Sequence, residues 1–466
     1  MLHTLPKPSF IVDSWSFLQS RLQGTVILPE DQRYDKARQA WNLSVDQQPA
    51  VIVVPKNSAD VVETVRFARS EGLSIAVQAT GHGNVRPANG SLLLLTSDMQ
   101  GVKVDPMTQT AWVEAGVKWE VVLEKAQAVG LAPLLGSSPD VGAVGYTLGG
   151  GMGWLARKYG LSADNVNYFE VVTTDGQLRR VSATENSDLF WGLRGGGGSL
   201  AIVTGMEIKL YPVTTVYGGN LFYPIDQAKA VITRFQEWLP LVPDELTSSF
   251  VLMNFPPIPE VPEFLRGQSF VMIRGAYAGP VEEGEALLEY WRAWQTPLID
   301  DFKTMPFSQA ALISNDPVEP MAGLSSSAWL RELSDEAIEI LIERMKPSNG
   351  SPLAFLEVRH AGGAMARPQV SAYSNRDAFL SMQMVGAVFS PETHQALAHY
   401  IAQVKQTLQP YLTGKVYMNF LEGKESQEQI RNGFAPEAYE RLTQLKAKYD
   451  PENVLAYGFN IPPARK

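Results

Sequence analysis

The chain has 466 residues, 45% hydrophobic and 19% charged, which is enough for two or three soluble globular domains, and no apolar run nears the roughly 20 residues that cross a bilayer. A formal net charge of −10 without any basic cluster argues against nucleic acid or an anionic membrane as partner, and the lack of any cysteine excludes disulfides, thiolate nucleophiles and cysteine-held metals. The opening residues carry neither a basic n-region nor a small-residue cleavage pattern, so no signal peptide is expected and a cytoplasmic location is the default.

The first half alternates strand and helix patterns. Residues 49–55 are a β-branched run closed by proline. Asn57 or Ser58 can cap the helix that follows, whose apolar positions Val61, Val65 and Ala68 recur at helical spacing until Gly72 ends it. A second strand, LSIAVQA, runs directly into the turn TGHGN, where His82 stands between two glycines. Further strands are expected at 91–97 and 110–116, a helix over 118–129, and a hairpin over 168–183 turned at Asp175-Gly176. Glycine density peaks at 141–154 and again at 192–205. After Tyr211-Pro212 the texture changes to more aromatics and to prolines crowded over 254–264, which marks a domain boundary. Strand patterns at 268–279 and 352–364 then alternate with helical ones, including 392–408 with Leu397, Ile401, Val404 and Leu408 on one face. A last helix starts at Pro436, carries the stripe Ala438, Leu442, Leu445 and Tyr449, and stops before Asp450-Pro451.

Consecutive glycines between apolar strands either turn the chain sharply or leave N–H groups free to face an anion, and neither cluster reads G-x-G-x-x-G. His82 has no metal-ligand partner at usable spacing, and no G-x-S-x-G elbow exists for it to serve. Taken alone it is a turn histidine. Taken together, VQATGHG, GSSPDVGAVGYTLGGGMGWLARKYGLSADNV, DLFWGLRGGGGSLAIVTGMEIKLYPV and KYDPENVLAYGFNIPP, in that order, strongly resemble the berberine bridge enzyme-like branch of the vanillyl-alcohol oxidase superfamily of flavoproteins. The likeness runs from about Gly24 to the end.

The resemblance implies an α+β, two-domain PCMH-type FAD-binding fold with an inserted antiparallel-sheet substrate domain: residues 1–212 for FAD, 213–414 for substrate, and 415–466 returning to the FAD domain. It implies FAD attached covalently through His82, with Ala79, Thr80, Gly81, Gly83 and Asn84 around the pyrophosphate. Ser138 stands where many relatives have a second, cysteinyl link, so one covalent bond is expected and no cysteinyl one. Val141, Gly142, Gly145, Thr147, Gly149, Gly150, Gly153, Ile202 and Val203 are expected to line the cofactor, and Asn460 to reach it. The chain departs from the family pattern at Gln78, usually arginine, and at Ser199-Leu200-Ala201, usually asparagine–phenylalanine–glycine.

Flavin accepts a hydride, so the protein must orient a donor C–H and take a proton. In GKVYMNFLEG the likeness makes Tyr417 the base, the alternative being a packing aromatic between domains. If 415–420 is a strand, Lys415 and Asn419 share the face of Tyr417, and Lys415 is either the cation that favours phenolate or a solvated side chain. Arg274, Tyr277, Glu357 and Arg359 lie in strand patterns of the inserted domain, their direction unread. The resemblance implies oxidation of a small molecule at a C–H beside an alcohol or amine, with dioxygen as acceptor and hydrogen peroxide as product. The alternatives are a dehydrogenase using another acceptor, or a flavin-binding protein without catalysis. No metal is expected, and the oligomeric state is not legible.

Overall fold

Short β-branched and leucine-rich runs near the start of the chain assemble into a four-stranded sheet. In it β1 (Thr25–Ile27) pairs antiparallel with β2 (Val51–Val54), and β4 (Leu92–Leu95) lies parallel between β2 and β3 (Ile75–Gln78). The computed structural model describes residues 12–83 and 86–465. The helix Ser58–Ser70 joins β2 to β3 and is capped by Asn57, whose side chain accepts from the Asp60 N–H at 3.0 Å. Val61, Val65 and Ala68 are buried against the sheet, as their spacing requires.

A second sheet is antiparallel, in the order β5 (Val102–Asp105), β6 (Thr110–Glu114), β9 (Ile202–Lys209), β7 (Val166–Val172), β8 (Leu178–Ser182). The β7–β8 hairpin turns at Gly176, whose φ of +74° is a left-handed value that favours glycine. Val172 and Ile202 also pack into the first sheet's core, so the two sheets share apolar contacts.

The third sheet is larger and fully antiparallel. Its path runs β13 (Ile299–Asp300), β10 (Thr215–Pro224), β12 (Ser269–Tyr277), β11 (Leu246–Asn254), β16 (Phe355–His360), β17 (Leu380–Ala387), β15 (Gly323–Leu330), with β14 (Lys303–Pro306) also on β10. Helices Ala228–Trp238, Val281–Arg292, Asp335–Met345 and Pro391–Leu408 cover one face, the last through the expected Leu397, Ile401, Val404 and Leu408. The opposite face carries polar side chains and meets the first two sheets' side of the molecule through Met152, Leu161, Trp329, Ala361, Met365, Tyr373 and Tyr417.

The C-terminal tail packs on the second sheet's core through Met418, Phe434, Leu442, Leu445 and Ile461. Helix Pro436–Tyr449 buries Lys446 as well as its leucines. That ammonium has no exposed surface. It pairs with Asp450 at 2.6 Å and donates to the carbonyls of Ser199 (2.7 Å) and Leu455 (3.1 Å), the kind of full compensation a buried charge needs.

Candidate active site

The loop after β3 turns back at Gly81, where φ is +85° and an added Cβ would lie 2.6 Å from Ala40 Cα. This glycine is demanded by the 40–41 backbone pressed against it, whereas Gly83 has open space beside it. Trp41 N–H donates to the Thr80 carbonyl at 3.0 Å, and the indole stacks on the His82 imidazole with centroids 4.3 Å apart at 18°. His82 Nδ1 is 2.9 Å from Thr80 Oγ1, and Nε2 is 3.0 Å from Asp140 Oδ2 but outside hydrogen-bond geometry. Asn84, expected in this loop, lies outside the described residues.

The helix Ala143–Leu148 starts at this loop. A Cβ on Gly142, its N-cap, would meet the Ala79 Cβ at 3.3 Å. Six residues rise about 9 Å. At the helix's far end the glycine run fits tightly around aromatic side chains. A Cβ on Gly149 would lie 1.8 Å from Asn419 Oδ1, and one on Gly150, at φ +111°, would lie 2.9 Å from the Tyr373 ring and 3.6 Å from that of Tyr417. Tyr417 is 1% exposed, and its hydroxyl oxygen accepts from the N–H groups of Gly151 (3.1 Å) and Met152 (3.0 Å) and from Asn419 Nδ2 (3.1 Å). Burial pushes this phenol up to about 12, with the Met152 N–H, Asn419, Arg359 and the Gly151 N–H pulling it back.

Residues 415–420 are not a strand. Extended backbone at 415–417 leads into a 3₁₀ turn, Met418–Phe420, so the period-two argument for Lys415 fails. Its ammonium instead sits on Asp377, 2.6 and 2.9 Å from the two carboxylate oxygens, in a solvent-exposed pair. The cation whose charge acts on Tyr417 is Arg359, from the third sheet. The antiparallel register places Asn220, Arg274, Ser249 and Arg359 in one row across four strands, with Glu357 two residues along on the same face. Arg359 donates to Glu357 Oε2 at 2.8 Å, Ser249 Oγ to Oε1 at 2.7 Å, and Arg274 Nε to Asn220 Oδ1 at 2.9 Å. Tyr277 points the other way, into the helix-covered core, and donates to Glu283. A small cavity next to this row is bounded by Ser137, Met152, Gly153, Trp154, Thr247, Ser249, Arg359 and His360. Trp154 Nε1 and Thr247 Oγ1 are buried there without a partner among the described residues.

Other expected residues divide by what they touch. Ser138 donates to Asp316 Oδ2 at 2.8 Å, a contact that ties residues 137–139 to the 213–414 segment. Thr147 spends its hydroxyl on Ala143 O and Ser162 Oγ, both at 2.8 Å, and the side chains of Ile202 and Val203 are in the cores. Val141 uses its carbonyl on the Trp119 N–H at 3.0 Å, and a Cβ on Gly153 would strike the Leu135 carbonyl at 1.8 Å. Gly145 faces open space from its helix, and Asn460 Oδ1 is buried without a partner among the described residues. Sequence reasoning missed Trp41, Asp140, Tyr146 and Tyr373. Only Asp140 left a signal, a carboxylate set between Pro139 and an apolar glycine run. The hydroxyls of Tyr146 and Tyr373 are likewise buried and without a partner among the described residues, so polar atoms at both ends of the helix are placed to bond a ligand. Those atoms, with the clear faces of Gly83 and Gly145, fit a large polar group such as FAD.

The family model described as "FAD binding domain" matches residues 49–182, and "Berberine and berberine like" matches 416–462. The chain is 26% identical over 465 residues to (R)-6-hydroxynicotine oxidase of Paenarthrobacter nicotinovorans, spanning 95% of this chain and 97% of that one. It is 25% identical over 473 residues to glucooligosaccharide oxidase of Sarocladium strictum, covering 93% of this chain and 91% of that one. In fold it matches the crystal structure of 6-hydroxy-D-nicotine oxidase from Arthrobacter nicotinovorans with a TM-score of 0.84 at 23% identity, over 95% and 98% of the two chains. The shared fold is the PCMH-type FAD-binding one with its antiparallel sheets. The chain thus carries an FAD-binding segment and a berberine-like tail, and along nearly its whole length it is similar to berberine bridge enzyme-like FAD-linked oxidoreductases.

Proposed function

We propose that this oxidoreductase oxidises a small molecule at a C–H beside an alcohol or amine group, on FAD attached to His82, with dioxygen as electron acceptor and hydrogen peroxide as product. The observation that carries the reading is the Tyr417 hydroxyl. A neutral phenol oxygen has two lone pairs, yet three N–H donors converge on this one at 3.0–3.1 Å. Such a cage offsets part of the burial that holds this phenol above its ordinary range, and Arg359 adds positive charge in the same direction. Tyr417 therefore takes the proton from the donor's hydroxyl or amine as the hydride leaves.

FAD, when bound, supplies the hydride acceptor. The His82 loop, Gly142, Gly145 and Asn460 would hold it, and Asn419 would fix the angle of Tyr417 by donating to both the Tyr146 carbonyl at 2.9 Å and the phenol. Residues up to 212 together with 415–466 serve as the flavin-holding part, and 213–414 shapes the substrate site. The unpaired Trp154 N–H, the Thr247 hydroxyl and Arg359 suit a substrate that offers oxygen acceptors. The names of two relatives, a hydroxynicotine oxidase and a glucooligosaccharide oxidase, support both donor classes. A panel of sugars, alcohols and amines mixed anaerobically with the yellow protein tests the reading: a true donor bleaches it, and air restores the colour with one peroxide per turnover. Bleaching that air does not reverse would mean another acceptor.

A further inference from the structure

Asp140 is 3% exposed, and neither of its carboxylate oxygens has a hydrogen-bond partner among the described residues. An ionised carboxylate buried in this way is costly unless a positive or proton-bearing group faces it. The group that does so is the His82 imidazole, with Nε2 at 3.0 Å from Oδ2 and itself unpaired. A carboxylate can only accept, so Nε2 carries the ring proton and Nδ1 the lone pair, into which the Thr80 hydroxyl donates at 2.9 Å. Trp41 stacked on the ring fixes its plane. The result is a nucleophile with a carboxylate 3.0 Å from the nitrogen opposite the attacking one, near enough to take its proton once the two groups turn into line, as a base does when it activates a side chain for covalent chemistry.

We propose that Asp140 drives the attachment of flavin to His82 by taking the imidazole proton. This rests on the reading that the bond to His82 exists. In the step, Nδ1 forms a bond to the 8α-methyl carbon, a C–H bond of that methyl breaks and its proton leaves, and the Nε2 proton passes to Asp140. The electron pair of the broken C–H bond is held on the isoalloxazine until dioxygen removes it as hydrogen peroxide, which takes up the two protons released. Asp140 acts through the histidine and touches no substrate, so it is a positioning residue and proton acceptor for assembly.

The test uses the full chain purified from riboflavin-starved cells, mixed with FAD and sampled over time for flavin fluorescence in the protein band of a denaturing, acid-treated gel. Asp140→Asn keeps shape and the accepting oxygen but cannot hold the proton, so attachment should slow by about 100-fold or more while the protein still binds FAD and turns yellow. Asp140→Glu, which keeps a carboxylate, should regain at least about tenfold over D140N. The wild-type attachment rate should rise with pH and lose most of that rise in D140N, a change that a merely structural role would not produce. Attachment in D140N at the wild-type rate, or equal rates for D140N and D140E, overturns the proposal. Flavin that acid strips from the wild type would instead remove the histidyl bond itself, a distinguishable failure.

Discussion

Replacing Tyr417 with phenylalanine separates packing from chemistry. The ring stays, so its edge contacts with Tyr373 (centroids 6.4 Å) and Phe420 (4.9 Å) survive. What goes is one oxygen and three accepted hydrogen bonds. Asn419 keeps its bond to the Tyr146 carbonyl, but the N–H groups of Gly151 and Met152 have no other acceptor among the described residues. Two stranded buried donors at about 1–3 kcal/mol each give a loss of about 2–6 kcal/mol in stability. Loss of a positioned base should cut the rate of flavin reduction by about 10²–10⁴. Rapid anaerobic mixing with any donor that bleaches the wild type measures the rate, and thermal melting measures the stability. The pH dependence adds a second check. Burial raises this phenol from its ordinary value to about 12, so the fold prefers the neutral form. The stability this gives is present below the ordinary tyrosine range and is lost as pH rises through about 12, while the wild-type reduction rate should climb with pH and the variant should lose that climb. A variant that melts earlier yet reduces its flavin at the wild-type rate would leave Tyr417 as a packing residue and refute the argument.

Gly149→Ala should push Asn419 out of place, because the new methyl would sit 1.8 Å from its side-chain oxygen. Reduction should slow while flavin content holds, at about 1–3 kcal/mol in melting stability. Glu422, half-buried and accepting from the Ser325 N–H at 2.7 Å, is pushed up to about 7 by desolvation. Its protonated form is favoured in the fold, so the stability it contributes is present below the ordinary glutamate range and falls as pH rises through about 7. Glu422→Gln should flatten that part of the melting-temperature profile, and an unchanged profile would rule the residue out as its source.

Much of the fold could be read because its local signals agree with its tertiary packing. Asn57 caps the helix it precedes, Gly176 turns its hairpin at positive φ, and the Leu397–Leu408 stripe is the buried face. The tail helix shows where the pattern falls short: Lys446 is buried because carbonyls from 199 and 455 and the Asp450 carboxylate converge on it, partners from outside the helix's own face pattern. The same holds at the site. Lys415 shares a face with Tyr417 only if the segment is a strand, and the 3₁₀ turn at Met418–Phe420 removes that period. Arg359 and Trp41 reach the site from residues far away in sequence, through sheet register and a loop contact that no local motif encodes. Gly81 was legible as a special backbone position, but its close neighbour is the 40–41 backbone.

The most direct measurement is the mass of the intact, denatured chain. The sequence corresponds to 51.2 kDa, and a flavin joined through His82 should add the mass of one FAD less two hydrogens. His82→Ala should bring the chain back to its own sequence mass while it still binds yellow cofactor when folded. A wild-type chain that flies at its bare sequence mass, with the flavin found free in the supernatant, would contradict the account.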